Sequence, residues 1–224
     1  MTDHLYKRIE HAIGAMPWGW CTIDKALAMA ESILETKPVQ CVEIGVYGGK
    51  SLIPCALALS ELKHGHILGI DPWLPEAAAE GESDEANKEW WTNKSHLELA
   101  EAQARNAIDS LGLEHVCNVA KNRSENIAPR FKDGSIGFLH IDGNHTELAS
   151  VRDTTAWLPK MEPGGLIWFD DINWATTHKA LSILDESCDL MKDLVVSHIA
   201  CRLYRVKPVL TFESVLQFGQ EQMA

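Results

Sequence analysis

The 224-residue chain has no C-x-x-C pair, no apolar run approaching a membrane span, no internal repeat and no low-complexity tract. Its six cysteines, Cys21, Cys41, Cys55, Cys117, Cys188 and Cys201, are scattered, and several lie inside apolar runs. That distribution argues against a thiolate zinc site or a redox pair and points to buried free thiols in a reducing, cytoplasmic setting. A charged-then-apolar N-terminal leader is also missing, so secretion is not expected. Positive charge is scarce: 20 Lys and Arg stand against 32 Asp and Glu, a formal net charge of −12. Phosphate backbones and anionic membranes are bound through clustered cations, so neither nucleic acid nor a membrane surface is an expected partner. A small-molecule ligand is favoured, and self-association into a homo-oligomer is left open. With 46% hydrophobic and 23% charged residues, the composition is that of one folded α/β domain with a substantial core.

The two common glycine-rich nucleotide loops are absent as well. Residues 43–51, EIGVYGGKS, follow the apolar run VQCV and end in Gly-Lys-Ser, which suggests a phosphate-binding loop. The spacing denies it. In G-x-x-x-x-G-K-[ST] the first glycine would fall on Ile44, and counting from Gly45 leaves a loop too short to wrap a phosphate in backbone N–H groups. The dinucleotide pattern G-x-G-x-x-G fails because Tyr47 stands where the second glycine belongs. Lys50 is therefore placed on the helix after the turn and is not assigned to phosphate. What remains is an acid, one residue, a glycine and a glycine pair: Glu43, Gly45, Gly48 and Gly49. Its bland reading is a tight strand-to-helix turn with an incidental glutamate.

Around this turn the chain alternates. Ile23, Ala26, Leu27, Ala30, Ile33 and Leu34 recur at helical spacing behind Thr22, a good N-cap, within an N-terminal helical segment, 1–37. Short apolar runs at 40–44, 66–70, 115–120, 136–141 and 165–169 have strand length, with helical patterns at about 51–62, 95–111, 124–131 and 146–158 between them. Strands alternating with helices imply parallel pairing through right-handed crossovers. A last helix near 175–190 and two late strands in LVVSHIACRLYRV complete a doubly wound, Rossmann-like α/β sheet, mostly parallel with an antiparallel last strand and helices on both faces. One domain, 1–224, is expected. The regularity breaks at 72–94, a long acidic and aromatic insertion. It reads either as a mobile lid over a ligand or as a solvated loop anchored by Trp90 and Trp91.

In such sheets ligands bind beyond the carboxyl ends of the strands. Asp71 ends the second strand, where an acid can accept both hydroxyls of a ribose. Ser124, after the third, suits an adenine edge or a helix cap equally. FLHIDGNH delivers Asp142 and His145, and GLIWFDDINW delivers Asp170 and Asp171. Three carboxylates at neighbouring strand ends repel one another unless a cation, protons or basic partners compensate. A divalent ion (Mg²⁺, Mn²⁺ or Ca²⁺) is the economical answer, the alternative being that one aspartate caps a helix and another is solvated. His145 is placed to act as a base or to cap the next helix, and His178 is a weaker second base.

The segments VEIGVYGGKS, GIDPW and FLHIDGNHTELASVRDTTAWLPKMEPGGLIWFDDI together resemble the class I S-adenosylmethionine-dependent methyltransferases, within them the macrocin O-methyltransferase and cephalosporin-hydroxylase-like group (methyltransferase domain family 24). That group is similar to the catechol O-methyltransferases, and the likeness spans about residues 38–175. The resemblance implies a cofactor pocket of Glu43, Gly45, Tyr47, Gly48, Gly49, Ser51, Asp71, Ser124 and Asp142. It further implies a Mg²⁺ site of Asp142, Asp170 and Asp171, with His145 and Asp142 at the chemistry. Where catechol-type enzymes carry a lysine base, this chain has His145, as sugar-modifying relatives do. The expected activity is metal-assisted O-methylation of a sugar, phenol or natural product. Metal-independent O- or N-methylation with His145 as base, and a catalytically idle cofactor-binding domain, are the alternatives.

Overall fold

In the computed structural model, residues 1–197 and 199–208 are described; the parts of the expected 1–224 domain at 198 and 209–224, with most of the tail after Lys207, lie outside them. Helices α1 (Asp3–Ala15) and α2 (Ile23–Thr36) precede strand β1 (Gln40–Ile44). There follow α3 (Leu52–Leu62), β2 (His66–Asp71), α4 (Pro75–Ala78), α5 (Glu85–Thr92), α6 (Lys94–Ser110) and β3 (Cys117–Lys121). Then come α7 (Ser124–Ile127), β4 (Ile136–Ile141), α8 (Glu147–Trp157), β5 (Met161–Asp170), α9 (His178–Ser187), β6 (Cys188–Val196) and β7 (Ile199–Val206). The strands form one seven-stranded sheet in the order β3-β2-β1-β4-β5-β7-β6. Pairing is parallel from β3 to β5, and β7 runs antiparallel to both β5 and β6. The expected architecture is thus the observed one, with β6 and β7 as a terminal hairpin.

Side-chain alternation along the strands divides the interior into two cores. Cys41, Phe138, Leu166 and Trp168 face the side covered by α1, α2, α3 and α6, while Val42, Leu139, Ile167 and Phe169 face the side covered by α7, α8 and α9. The alternation has a consequence for charge. Glu43 is in register with His140, and His140 with Trp168, so Glu43, His140 and, two residues beyond Trp168, Asp170 all point toward α2.

Helix α2 begins where the sequence asks it to, at Thr22, whose side chain accepts the Lys25 backbone N–H at 3.3 Å. It ends at Lys37 in a left-handed cap (φ 50°) just before Pro38, which cannot continue a helix. The insertion is not a structureless loop. It carries two short helices, α4 and α5, the second capped by Asp84.

Candidate functional site

Strand order reverses between β1 and β4, and there, at the carboxyl ends of the parallel strands, lies a cavity of about 340 Å³. Gly45, Tyr47, Asp71, Ser124, Asp142 and His145 line it, together with Arg123, Asn144, Arg152, Asp153 and Trp174. Ala77, Ala78, Gly81, Glu82, Ser83, Asp84, Asn87 and Trp91 close it from the insertion.

Gly45 is forced by its surroundings. Its φ is +84°, and a Cβ there would lie 1.9 Å from the carbonyl oxygen of Asp142, so the turns after β1 and β4 approach as closely as they do only over a glycine. Gly48 has a different reason: a Cβ would lie 2.2 Å from the carbonyl oxygen of Trp18, and the side chain of Gln103 ties these loops together. Gly49, at φ +83°, packs on Ala104. Neither Gly48 nor Gly49 lines the cavity, and neither does Lys50, whose stem packs beneath Gly19.

Asp71 accepts the backbone N–H of Tyr47 through Oδ2 at 2.8 Å and that of Trp73 through Oδ1 at 2.7 Å. With the Val46 N–H also directed at it, the carboxylate keeps part of its acceptor capacity for a ligand hydroxyl. Burial raises its pKa to about 6 despite these bonds. Ser124 donates to the buried carboxylate of Asp153, whose pKa burial likewise raises to about 6.

Beneath the cavity runs a charged network that joins Glu43, Asp142 and Asp170 to Lys25 and His140. Lys25 is fully buried, and its Nζ contacts Asp142 Oδ2 at 3.3 Å and, more closely, Asp170 Oδ2. His140 Nε2 lies 3.3 Å from Asp170 Oδ1, and His140 Nδ1 lies 3.1 Å from Glu43 Oε2. Glu43 Oε1 accepts the Ser51 hydroxyl at 2.9 Å. Glu43 and Ser51, expected at the cofactor, are therefore buried under the floor: strand alternation turns Glu43 toward α2 and away from the opening. Burial disfavours the Lys25 ammonium, but the charges of Asp142 and Asp170 raise its pKa well above the ordinary value. Asp170 is held well below the usual carboxylate range, because Lys25 and His140 outweigh its desolvation. For His140, burial and Lys25 push down while Asp170 and Glu43 push up more, leaving it at about 9. Asp142, one quarter exposed at the cavity wall, moves upward through loss of water and the neighbouring Asp170 charge. Removing one partner from a buried pair of this kind costs about 3–5 kcal/mol.

His145 Nε2 lies 2.9 Å from Asp171 Oδ2, and its ring packs 5.4 Å from that of Trp174. Burial lowers the imidazole's pKa, but the Asp171 hydrogen bond and charge, with Asp142 and Asp170 behind, raise it above the ordinary histidine value overall. Among the described residues two groups of three potential metal ligands form, His140–Asp142–Asp170 and Asp142–His145–Asp171, each with ligand atoms within 4.8 Å. The expected trio of Asp142, Asp170 and Asp171 is not one of them. His178 is exposed and does not line the cavity.

Lys25, His140, Asp153 and Arg152 escaped the sequence reading. A signal for Lys25 exists: Lys25, Ala28, Met29 and Ser32 follow the i, i+3, i+4, i+7 spacing of one buried helix face. His140 is a titratable group inside an otherwise apolar central strand.

A doubly wound sheet with its cavity at the switch point defines a Rossmann-like protein, and the sequence defines it further. The chain belongs to the methyltransferase-domain family, whose model matches residues 42–172, more than half its length, and it is a methyltransferase. Solved structures agree in fold. Cofactor-bound Rv0187 from MTB is 14% identical, covers 93% of this chain and 92% of its own, and superposes with a TM-score of 0.66. The Bacillus cereus O-methyltransferase in complex with SAH is 16% identical over 92% of both chains, with a TM-score of 0.62. The O-methyltransferase TomG from Streptomyces achromogenes, involved in tomaymycin synthesis and solved with SAM, is 14% identical over 92% of this chain and 91% of its own, with a TM-score of 0.61. No curated protein matches the chain in sequence.

Proposed function

We propose that the chain transfers a methyl group from S-adenosylmethionine to a hydroxyl of a small molecule, with His145 as general base. The observation that carries this reading is the His145–Asp171 contact of 2.9 Å at the wall of the switch-point cavity. Asp171 accepts the Nε2 proton and fixes the tautomer, which leaves Nδ1 to take the proton of the acceptor hydroxyl. S-adenosylmethionine supplies an electrophilic methyl group. Bound here, it would give up that methyl group to the deprotonated acceptor oxygen and leave as the neutral thioether. Asp71 suits the ribose hydroxyls, Gly45 and Tyr47 form the adjoining wall, and Ser124 with Asp153 lies at the far end of the strand edge. Cofactor-bound neighbours of the same fold support the cofactor assignment. Six buried free cysteines support a cytoplasmic site of action.

A divalent ion shared by Asp142, Asp170 and Asp171 does not fit these residues. Both oxygens of Asp170 are already engaged, by Lys25 and by His140, and Oδ2 of Asp171 faces His145. No step is therefore routed through a metal.

Calorimetric titration with S-adenosylmethionine, ATP and NAD, followed by turnover on a panel of hydroxylated acceptors, tests the reading. Binding is expected for S-adenosylmethionine alone. Asp71→Ala should weaken it by about tenfold or more, since charge-assisted hydrogen bonds are worth roughly 1.5–3 kcal/mol. Tight ATP binding that depends on Lys50, with no binding of S-adenosylmethionine, would overturn it.

A further inference from the structure

We infer that the Lys25 ammonium takes the place of a divalent cation in this site, so that methyl transfer proceeds without a metal ion and Lys25 is the positioning residue that fixes Asp142 at the cavity wall. The inference rests on the methyl-transfer reading above. It is carried by where the ammonium sits. Lys25 comes from α2, and its Nζ reaches Asp142 Oδ2 at 3.3 Å and makes a still closer contact with Asp170 Oδ2. Mg²⁺ binds oxygens at about 2.0–2.1 Å, so an ion bridging these two carboxylates would overlap the nitrogen that already bridges them. The second oxygen of Asp170 is taken as well. Asp170 Oδ1 faces His140, whose other nitrogen, Nδ1, lies 3.1 Å from Glu43 Oε2.

A lysine with no exposed surface is costly to bury, and the same volume is readily filled by an apolar side chain. α2 nevertheless carries it on its buried face, with Ala28, Met29 and Ser32. The charge is therefore placed rather than tolerated. Four carboxyl groups, Glu43, Asp142, Asp170 and Asp171, meet three basic groups, Lys25, His140 and His145. The chain's own residues thus supply most of the compensation that its aspartates need. The second ligand group, Asp142–His145–Asp171, offers an ion no free alternative, because filling it would consume the imidazole that serves as base.

Mn²⁺ is the probe. Electron paramagnetic resonance titration of the full chain with Mn²⁺ should show no stoichiometric site, and turnover should be unchanged by excess chelator. Lys25→Ala should acquire one Mn²⁺ site, and the added change Asp170→Asn should abolish it; a merely structural lysine would leave no such site behind. Stoichiometric Mn²⁺ on the wild-type chain, or chelator-sensitive turnover restored by Mn²⁺, would overturn the inference. So would a folded Lys25→Ala chain that binds no Mn²⁺. If Lys25→Ala does not fold, the wild-type titration and the chelator assay decide alone. A chain that binds no S-adenosylmethionine fails the methyl-transfer reading in calorimetry, a result independent of the Mn²⁺ spectrum.

Discussion

Asp171 holds φ at +55°, a left-handed conformation rare outside glycine, and the turn sends adjacent aspartates to different partners. Asp170 goes down to Lys25, and Asp171 goes across to His145. The pair His145–Asp171 then predicts a pH profile. A general base works in its neutral form, so turnover should rise with pH through a His145 pKa that lies above the ordinary histidine value. Asp171→Asn removes the raising partner and should move this limb to lower pH, while His145→Ala should reduce turnover about 10²–10⁴-fold with cofactor affinity retained. An unshifted limb in Asp171→Asn would show that another group titrates. Asp153 offers a stability counterpart. Burial raises its folded pKa to about 6, above its value in the unfolded chain, so its ionised form opposes folding near neutrality; the penalty begins to shrink as pH falls through 6 and is lost once pH drops below the ordinary aspartate pKa. Asp153→Asn keeps an acceptor for Ser124 and should stabilise the unliganded protein at pH 7 by roughly 1–3 kcal/mol. Below the ordinary aspartate pKa the gain should be gone, as denaturant unfolding there and at pH 7 can check.

The insertion is held down at identifiable points. Asn144 Nδ2 lies 2.9 to 3.3 Å from the carbonyl oxygens of Ala77, Ala78 and Glu80, and the Glu80 carboxylate pairs with Arg123 at 2.6 Å and Arg152 at 3.1 Å. At its other end Trp90 and Trp91 join Trp20 and Tyr47 in an aromatic cluster. If α4 and α5 act as a cover, Glu80→Gln should speed amide hydrogen exchange across residues 75–92, and cofactor with acceptor should slow it in the wild-type chain. Complete protection in the unliganded protein would make the segment a fixed wall. Its composition showed that 72–94 stands apart from the sheet, but the latches lie on α8 and on the turns after β3 and β4. Distance along the chain hides such contacts from a sequence pattern.

Two apolar cores on opposite faces of one sheet enclose all six cysteines, each a free thiol. Burial raises the pKa values of Cys21, Cys117 and Cys188 to about 12 and pushes Cys41, Cys55 and Cys201 up as well. Thiolate is the reactive form, so a thiol reagent should label the native protein slowly at every site and label all six in denaturant. Rapid labelling of a native cysteine would show that a core opens locally. Among the described residues no helix is long and apolar enough to cross a membrane, which agrees with the apolar runs being strands.

Local pattern was enough to place the strands and most helices, since periodicity, caps and breakers act within a few residues. It also placed Gly45, Asp71, Asp142 and His145 at a cavity, because residues that end parallel strands collect at one edge. Whether the aspartates meet a metal ion or a lysine was not in that pattern. The amphipathic spacing of α2 says that one face is buried, not that Lys25 lies over the ends of β4 and β5. Only the docking angle of the helix, together with the alternation that turns Glu43, His140 and Asp170 to the same side, brings these distant residues into contact. Tertiary packing thereby decided the partner of each charge, because burial removes the water that would otherwise keep those charges independent.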